Sequence, residues 1–376
     1  MTGPTNSAAR VSPAGKDPTR DKIPRGLTER VGKYGLLIFL VIVFAGFSLA
    51  RPSEFASWEN IRTTLDQQTP VIIGGLAVMM TLLTGEIDLS VAANISLANI
   101  FLAGLTTNNG FPTPVAVVLA VLVSTAVGFL NGLIVEKLQV TSFVATLGMA
   151  TLIGGVGLAY SHSTDILTVP NSVTAMVRTS VIGLPLSVFY GLAAMLVVGL
   201  VLRYLPVGRK LRAVGANPRA AALTGIRPGL YRIASFTLGG ALAGIAGVVI
   251  TGQLGSATAA GTADSLLLPI FAAVFLGSTA FTPGRQNVPG LFVAALFLAF
   301  VSSGLVLLGA PSWASPLING AALILAVAFS TWALRMQARQ FRVQQLRQMD
   351  LEDAMVSGAT SAGGLEAAHQ NPTPSV

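Results

Sequence analysis

The sequence predicts an all-α polytopic membrane protein with about ten transmembrane helices and both termini in the cytoplasm. Three observations carry this expectation. Hydrophobic residues fill 52% of the 376 positions and charged residues only 10%, where a soluble domain averages about 25% charged. No Lys, Arg, Asp or Glu occurs from 89 to 135 or from 286 to 334, and a soluble fold cannot keep such runs away from water on every face. The basic residues, finally, gather in alternate connections between the apolar runs, as the positive-inside rule requires.

In chain order, the apolar windows are 34–50, 68–83, 87–105, 114–135, 142–160, 184–202, 233–251, 265–280, 288–308 and 313–334, against the roughly 20 residues that a spanning helix needs. The second and eighth are short and the third is weakly apolar. Pro70, Pro114, Pro185 and Pro289 are each expected in a first helical turn, where the missing N–H costs nothing. Gly239, Gly240, Gly244 and Gly247 in the seventh window fit either a face for close helix approach or the ordinary glycine content of membrane helices.

With the N-terminus inside, the cytoplasmic side collects seven basic residues from the N-terminal tail, Lys137, seven from 203–232, Arg285 and four from the C-terminal tail. The other side holds Arg51, Arg62 and Arg178. That 20:3 split orients the chain, requires an even number of spans and removes any need for a nucleic-acid partner. The domain reading is a polar cytoplasmic tail over 1–33, a membrane domain over 34–334 with an internal loop at 203–232, and a cytoplasmic tail over 335–376. The last of these begins as a charged continuation of the tenth helix and is disordered from about 358. The external loop 161–183 is long enough for a short surface helix. The first 30 residues lack an apolar signal-peptide core.

Several chemistries are excluded by residue type. The chain has no cysteine and two histidines, His162 and His369, so thiolate or His-based metal sites, cysteine nucleophiles and His triads are not expected. No cofactor, metal or catalytic set is anticipated. The nearest approach to a phosphate-binding loop, Gly26 to Gly32-Lys33-Tyr34, has five intervening residues and ends in tyrosine, where four and Ser or Thr are needed. ATP hydrolysis is therefore not expected of this chain.

Three sets of residues stand out. Thr84-Gly85-Glu86-Ile87-Asp88-Leu89-Ser90 places two acids in a tight turn beside the membrane, where acids are costly and usually functional or paired. Asp88 fits a cap on the third helix, a gating or pathway role, or pairing between subunits; Lys137 is a candidate partner for Glu86. In the internal loop, Asn217-Pro218 opens a turn, Arg219, Ala220, Ala221 and their successors favour a short helix, and Gly225 ends it, with Gly215 just upstream. This element fits a docking knob for a cytoplasmic partner or a basic helix on anionic lipid. The third set is uncharged and polar within the windows: Asn94, Asn99, Asn131, Thr146, Gln253, Ser302, Ser303 and Asn319. Such groups bond across helices or line an aqueous path. With almost no ionisable group at mid-span, a path they lined would suit a neutral, hydroxyl-rich solute better than a proton or ion.

From about residue 70 to 334 the chain resembles the membrane-spanning permease subunits of bacterial ABC importers of the ribose, xylose and arabinose type. The resemblance rests on Thr84 to Ala93 against a T-G-G-I-D-L-S-V-G-S pattern, on Gly128-Phe129-Leu130-Asn131-Gly132-Leu133-Ile134 followed by Phe143 to Gly148, and on Gly215 to Ile226 against G-x-N-x-x-A-A-x-x-S-G-I. Glu86 stands in place of glycine, Ala92-Ala93 in place of Gly-Ser and Thr224 in place of serine. The resemblance implies a multi-pass protein of the bacterial inner membrane and a two-fold pair of permeases, identical or related. It also implies a cytoplasmic ABC ATPase, often a tandem chain, which engages Gly215, Asn217, Pro218, Arg219, Ala220, Ala221 and Gly225, and an external solute-binding protein that delivers the sugar. The expected function is ATP-driven import of a monosaccharide or polyol, with Glu86, Asp88, Asn94, Asn99, Asn131, Thr146 and Asn319 as candidates for the path or gate. Non-sugar cargo on the same scaffold, such as a furanone-type signal or a branched amino acid, and secondary transport are the alternatives.

Overall fold

The computed structural model describes residues 25–259 and 261–328. A helix occupies each of the ten apolar windows. The elements are α1 (Arg25–Ala50), α2 (Trp58–Leu82), α3 (Val91–Thr107), α4 (Thr113–Lys137), α5 (Ser142–Tyr160), α6 (Asn171–Arg178), the two-residue strands β1 (Ser180–Val181) and β2 (Leu184–Pro185), α7 (Leu186–Tyr204), α8 (Pro206–Ala216), α9 (Pro218–Leu223) and α10 (Pro228–Leu254). A 3₁₀ turn over Asp264–Leu266 leads into α11 (Leu267–Gly277), followed by α12 (Val288–Leu307) and α13 (Ala314–Ala328). By length and composition, α4, α5, α7, α10 and α12 are able to cross a membrane, and four shorter apolar helices accompany them. The first helix starts at Arg25, ahead of the expected 34. The predicted tail beyond 328 and the first 24 residues lie outside the described residues.

Helix α2 differs from the rest. Its first half carries Glu59, Arg62 and Asp66, whereas residues 69–81 are buried throughout. Pro70 lies inside this helix rather than in its first turn. A proline there cannot bond the carbonyl four residues back, and the structure supplies a substitute: Gln253 Nε2 donates to Asp66 O at 2.6 Å and to Asp66 Oδ1 at 2.8 Å. Ser187 Oγ also donates to Asp66 Oδ1. Arg178, closing α6, holds the Gln253 carbonyl. One end of α2, α7 and α10 is thereby tied together by polar bonds. Pro114, Pro185 and Pro289 do stand at helix starts.

The centre of the bundle is α10, which packs against α4, α2 and α3. Its glycines permit this. A Cβ on Gly240 would stand 3.0 Å from the Gly128 Cα and N, one on Gly244 3.0 Å from the Val121 Cα, one on Gly247 2.6 Å from the Ile95 carbonyl oxygen, and one on Gly239 3.2 Å from that of Ala77. Close approach is therefore the reading that holds for these four. Around this core, α11 and α12 pack on α2, and α1 lies on α12 through Phe39 and Phe44 against Phe297 and Phe300, with Phe55 of the turn after α1 packed against Phe44, Phe47 and Phe300.

Gly240→Val forces bulk between two backbones that cannot separate singly. Overpacking of this kind costs about 1–3 kcal/mol, and thermal denaturation of the detergent-purified protein should show that loss. Gly199→Val, at a position with open space around it, should melt like the parent. Equal melting of both variants would refute the close-packing account.

Candidate functional site

Two of the sequence motifs meet at one end of the bundle. Turn 84–90, between α2 and α3, is held by three other helices. Thr84 Oγ1 donates to Thr81 O at 2.8 Å and lies 3.1 Å from Ser235 Oγ on α10. From α5, Ser142 Oγ accepts the Ile87 N–H at 3.3 Å and Thr146 Oγ1 accepts that of Leu89 at 3.0 Å. Asp88 is 3% exposed; its Oδ1 accepts the Ser90 N–H at 2.9 Å and the Ser90 Oγ–H at 2.6 Å, and Asn131 Nδ2 on α4 donates to the same Ser90 Oγ at 2.8 Å. The cap position of α3 is Ser90, whose side chain makes no cap bond. Asp88 thus braces the turn through the N–H of the cap residue itself and bonds no N–H of the helical residues that follow it among the described residues.

The charges pair differently from expectation. Arg232, near the start of α10, places Nε 3.2 Å from Glu86 Oε1 and donates from Nη1 to Glu136 Oε2 at 3.2 Å. All three side chains are partly buried. Lys137 closes α4 on its exposed side, and Arg232 takes the place expected for it because α10 is drawn against α4 by their glycines. Arg232 therefore ties the turn, α4 and α10 together.

The loop 203–232 forms two helices, where one was expected. Helix α8 turns Gly208, Leu211 and Val214 inward, and Lys210 Nζ sits over the Tyr231 ring at 5.7 Å from its centroid. Asn217 Oδ1 accepts the Ala220 N–H at 3.1 Å, capping α9, and Gly225 ends the segment with φ 82°. Gly215 lies directly on the turn: a Cβ there would be 3.0 Å from the Leu83 carbonyl carbon and 3.2 Å from that of Thr84. Helix α9 rests on α8 and α10. Ala221 is 5% exposed and faces the protein, so the outward knob is made by Arg219, Ala220, Ala222 and Leu223, the last 91% exposed.

Most of the polar path candidates are engaged between helices. Asn94 Nδ2 donates to Ser124 O at 3.0 Å. Asn99 donates to Thr251 Oγ1 at 3.0 Å and Ser256 O at 3.1 Å, and accepts from Thr262 Oγ1 at 2.6 Å. Thr146 Oγ1 also donates to Ser142 O at 2.8 Å. Asn94 Oδ1 and Asn131 Oδ1 have no partner among the described residues. Asn319 is placed elsewhere. It lines a cavity of about 230 Å³ with Gln67, Gln68, Val71, Leu266, Pro269, Leu298 and Ser302. The two glutamines were not singled out from the sequence; the run Gln67-Gln68-Thr69-Pro70 at the edge of an apolar window is the signal that would have found them.

Comparison with known proteins places residues 60–327 in the family described as branched-chain amino acid transport system / permease component. Over 301 residues the chain is 31% identical to the probable ABC transporter permease protein YphD of Escherichia coli (strain K12), covering 80% of this chain and 90% of that one. It is 30% identical to the ribose import permease protein RbsC of Bacillus subtilis (strain 168), covering 80% and 92%, and 28% identical to the L-arabinose ABC transporter permease protein AraH of Azospirillum brasilense, covering 85% and 93%. No solved structure matches the chain.

The Arg232 bridge sets up a double-mutant test. Arg232→Leu leaves Glu86 and Glu136 partly buried without their cation and should cost about 1–3 kcal/mol of stability. Glu86→Gly in that background removes one stranded carboxylate and should recover part of the loss. Thermal melting of the four proteins measures the coupling; a double variant no more stable than Arg232→Leu would show that Glu86 and Arg232 do not interact.

Proposed function

The chain belongs to the permease family just described, a family of multi-pass helical transport subunits, and on that premise we propose that it forms the membrane path of an ATP-driven importer for a monosaccharide or related polyol. The ten helices each cross a bacterial inner membrane once, with both termini, the α8–α9 pair and the 84–90 turn on the cytoplasmic face. The 20:3 distribution of basic residues supports that orientation. A second permease copy completes the path, a solute-binding protein delivers cargo from outside, and a cytoplasmic ABC ATPase docks on α9.

The observation that carries this reading is the contact of Gly215 with the Leu83–Thr84 backbone. A force applied to the α8–α9 pair reaches the 84–90 turn through backbone atoms, with no flexible side chain between. From there Asp88, Ser90 and Asn131 lead to α3 and α4, and Arg232 leads to α10. A branched amino acid is the weaker reading for cargo. Its ammonium and carboxylate need charged partners once out of water, and no ionisable residue lines the 230 Å³ cavity.

Two measurements test the proposal. In a complex reconstituted with its ATPase and binding protein, Leu223→Glu and Ala220→Trp should lower cargo-stimulated ATP hydrolysis at least tenfold and release the ATPase on co-purification, with unchanged melting of the permease itself. Ala221→Trp should instead lower the melting temperature, because its bulk meets the protein's own interior. Wild-type hydrolysis in both outward variants would make α9 a lipid-surface helix. Separately, a single cysteine at position 222 of this cysteine-free chain should react with an impermeant thiol reagent only after permeabilisation, and one at 163 should react in intact cells. The reverse pattern would overturn the orientation.

A further inference from the structure

We propose that the cavity between α2, α11, α12 and α13 is the place where this permease holds its cargo, and that Gln67, Gln68, Ser302 and Asn319 recognise an uncharged solute carrying several hydroxyl groups. The proposal rests on the permease reading above and adds the site.

The argument starts from which polar groups have work within the fold. Asn99, Asn131 and Thr146 are each bonded to another helix or to the turn, and Ser303 donates to Asn60 Oδ1 at 2.8 Å, pinning α12 to α2. The four polar side chains of the cavity make no hydrogen bond among the described residues, and all four lie around the same space. Ser302 and Ser303 are neighbours on one helix, yet only the second is engaged. Gln67 is exposed and the other three are partly buried, so their donors and acceptors are open to whatever fills the cavity, water or a ligand.

The chemistry of the lining names the class of ligand. Each amide offers one carbonyl acceptor and an NH₂ donor, and the serine hydroxyl offers both functions. Three amides and a hydroxyl therefore present donors and acceptors in balance, which matches hydroxyl groups, since these also donate and accept. No side chain of the lining carries charge, so nothing would compensate an ionic ligand. Val71, Leu266, Pro269 and Leu298 supply an apolar wall for the C–H face of a ring. The smaller groove of about 40 Å³ between α3 and α5 lacks these properties: its Ser96 is bonded to Asp264 and its Thr258 to Thr262.

The cavity is also in a suitable place. Gln67 and Gln68 stand about 14 Å into α2, and Ser302 and Asn319 about 8 Å from the near ends of α12 and α13. It is thus inset from the end of the bundle opposite to turn 84–90 and α9, the end that faces the delivering side in the proposed orientation.

Single-cysteine variants of the cysteine-free chain test the proposal. In proteoliposomes, Gln68→Cys, Ser302→Cys and Asn319→Cys should react with a charged, impermeant thiol reagent at least tenfold faster than Leu196→Cys, which lies on the exposed apolar face of α7. A mixture of D-ribose, L-arabinose, D-xylose and D-allose at millimolar concentration should slow the three reactions several-fold, and glycine betaine at the same concentration should not. Rates equal to that of Leu196→Cys, or cavity rates that the sugars leave unchanged, overturn the site. Co-purification of the ATPase with the same variants reads the permease assignment separately: variants that retain the ATPase but show no sugar protection refute the cargo site alone, and loss of the ATPase from the parent chain refutes the broader reading.

Discussion

Everything in this bundle depends on how closely α10 can lie against its neighbours. Lipid tails are as apolar as leucine, so helices in a bilayer gain little by hiding apolar side chains from lipid and associate instead by close packing and interhelical hydrogen bonds. The Gly239, Gly240, Gly244 and Gly247 positions let α10 touch the backbones of α2, α4 and α3 at nearly one level. These contacts fall within about 12 Å at the middle of a 27-residue helix. Its two ends then deliver specific groups: Ser235 and Arg232 to the 84–90 turn, and Gln253 to the carbonyl that Pro70 leaves open in α2.

The same docking decides the electrostatics. Glu86 and Glu136 would be awkward neighbours in a partly buried site, and Arg232 stands between them because α10 has nowhere else to go. The guanidinium donates from Nη1 to Glu136, and its Nε, which makes no hydrogen bond, lies at ion-pair distance from Glu86. Beside this bridge, the α8–α9 pair rests its Gly215 on the end of α2. The proposed docking knob and the buried turn are thus adjacent layers of one structure, and the route between them runs through main-chain contact. That arrangement is stiff, which is what a transmitted stroke requires.

A polar residue within a membrane helix has two uses, and the bundle shows both. Residues on α3, α4 and α5 bond to neighbouring helices or to the 84–90 turn and hold the packed interior in register. Residues on the cavity side of α2, α12 and α13 do not. Asn99 and Asn319 illustrate the difference: the first makes three hydrogen bonds within the fold, and the second opens onto empty space.

The sequence by itself determined the fold class, the positions of the helices, the short helix that Asn217-Pro218 opens and Gly225 ends, the room for a short helix in the loop 161–183, and the family. These follow from local properties, namely apolar runs, turn residues, caps and motif spacing, which act over a few residues and are legible in one dimension. The tertiary structure alone decided that Pro70 is internal and compensated by Gln253, that Arg232 and not Lys137 faces Glu86, that Asp88 braces Ser90, that Ala221 points inward, and that Gln67 and Gln68 join Asn319. Each of these is a question of which distant residue arrives at a given atom. The answer is set by helix packing over the whole bundle, and a polar residue carries the same letter in the sequence whether or not its partner has arrived.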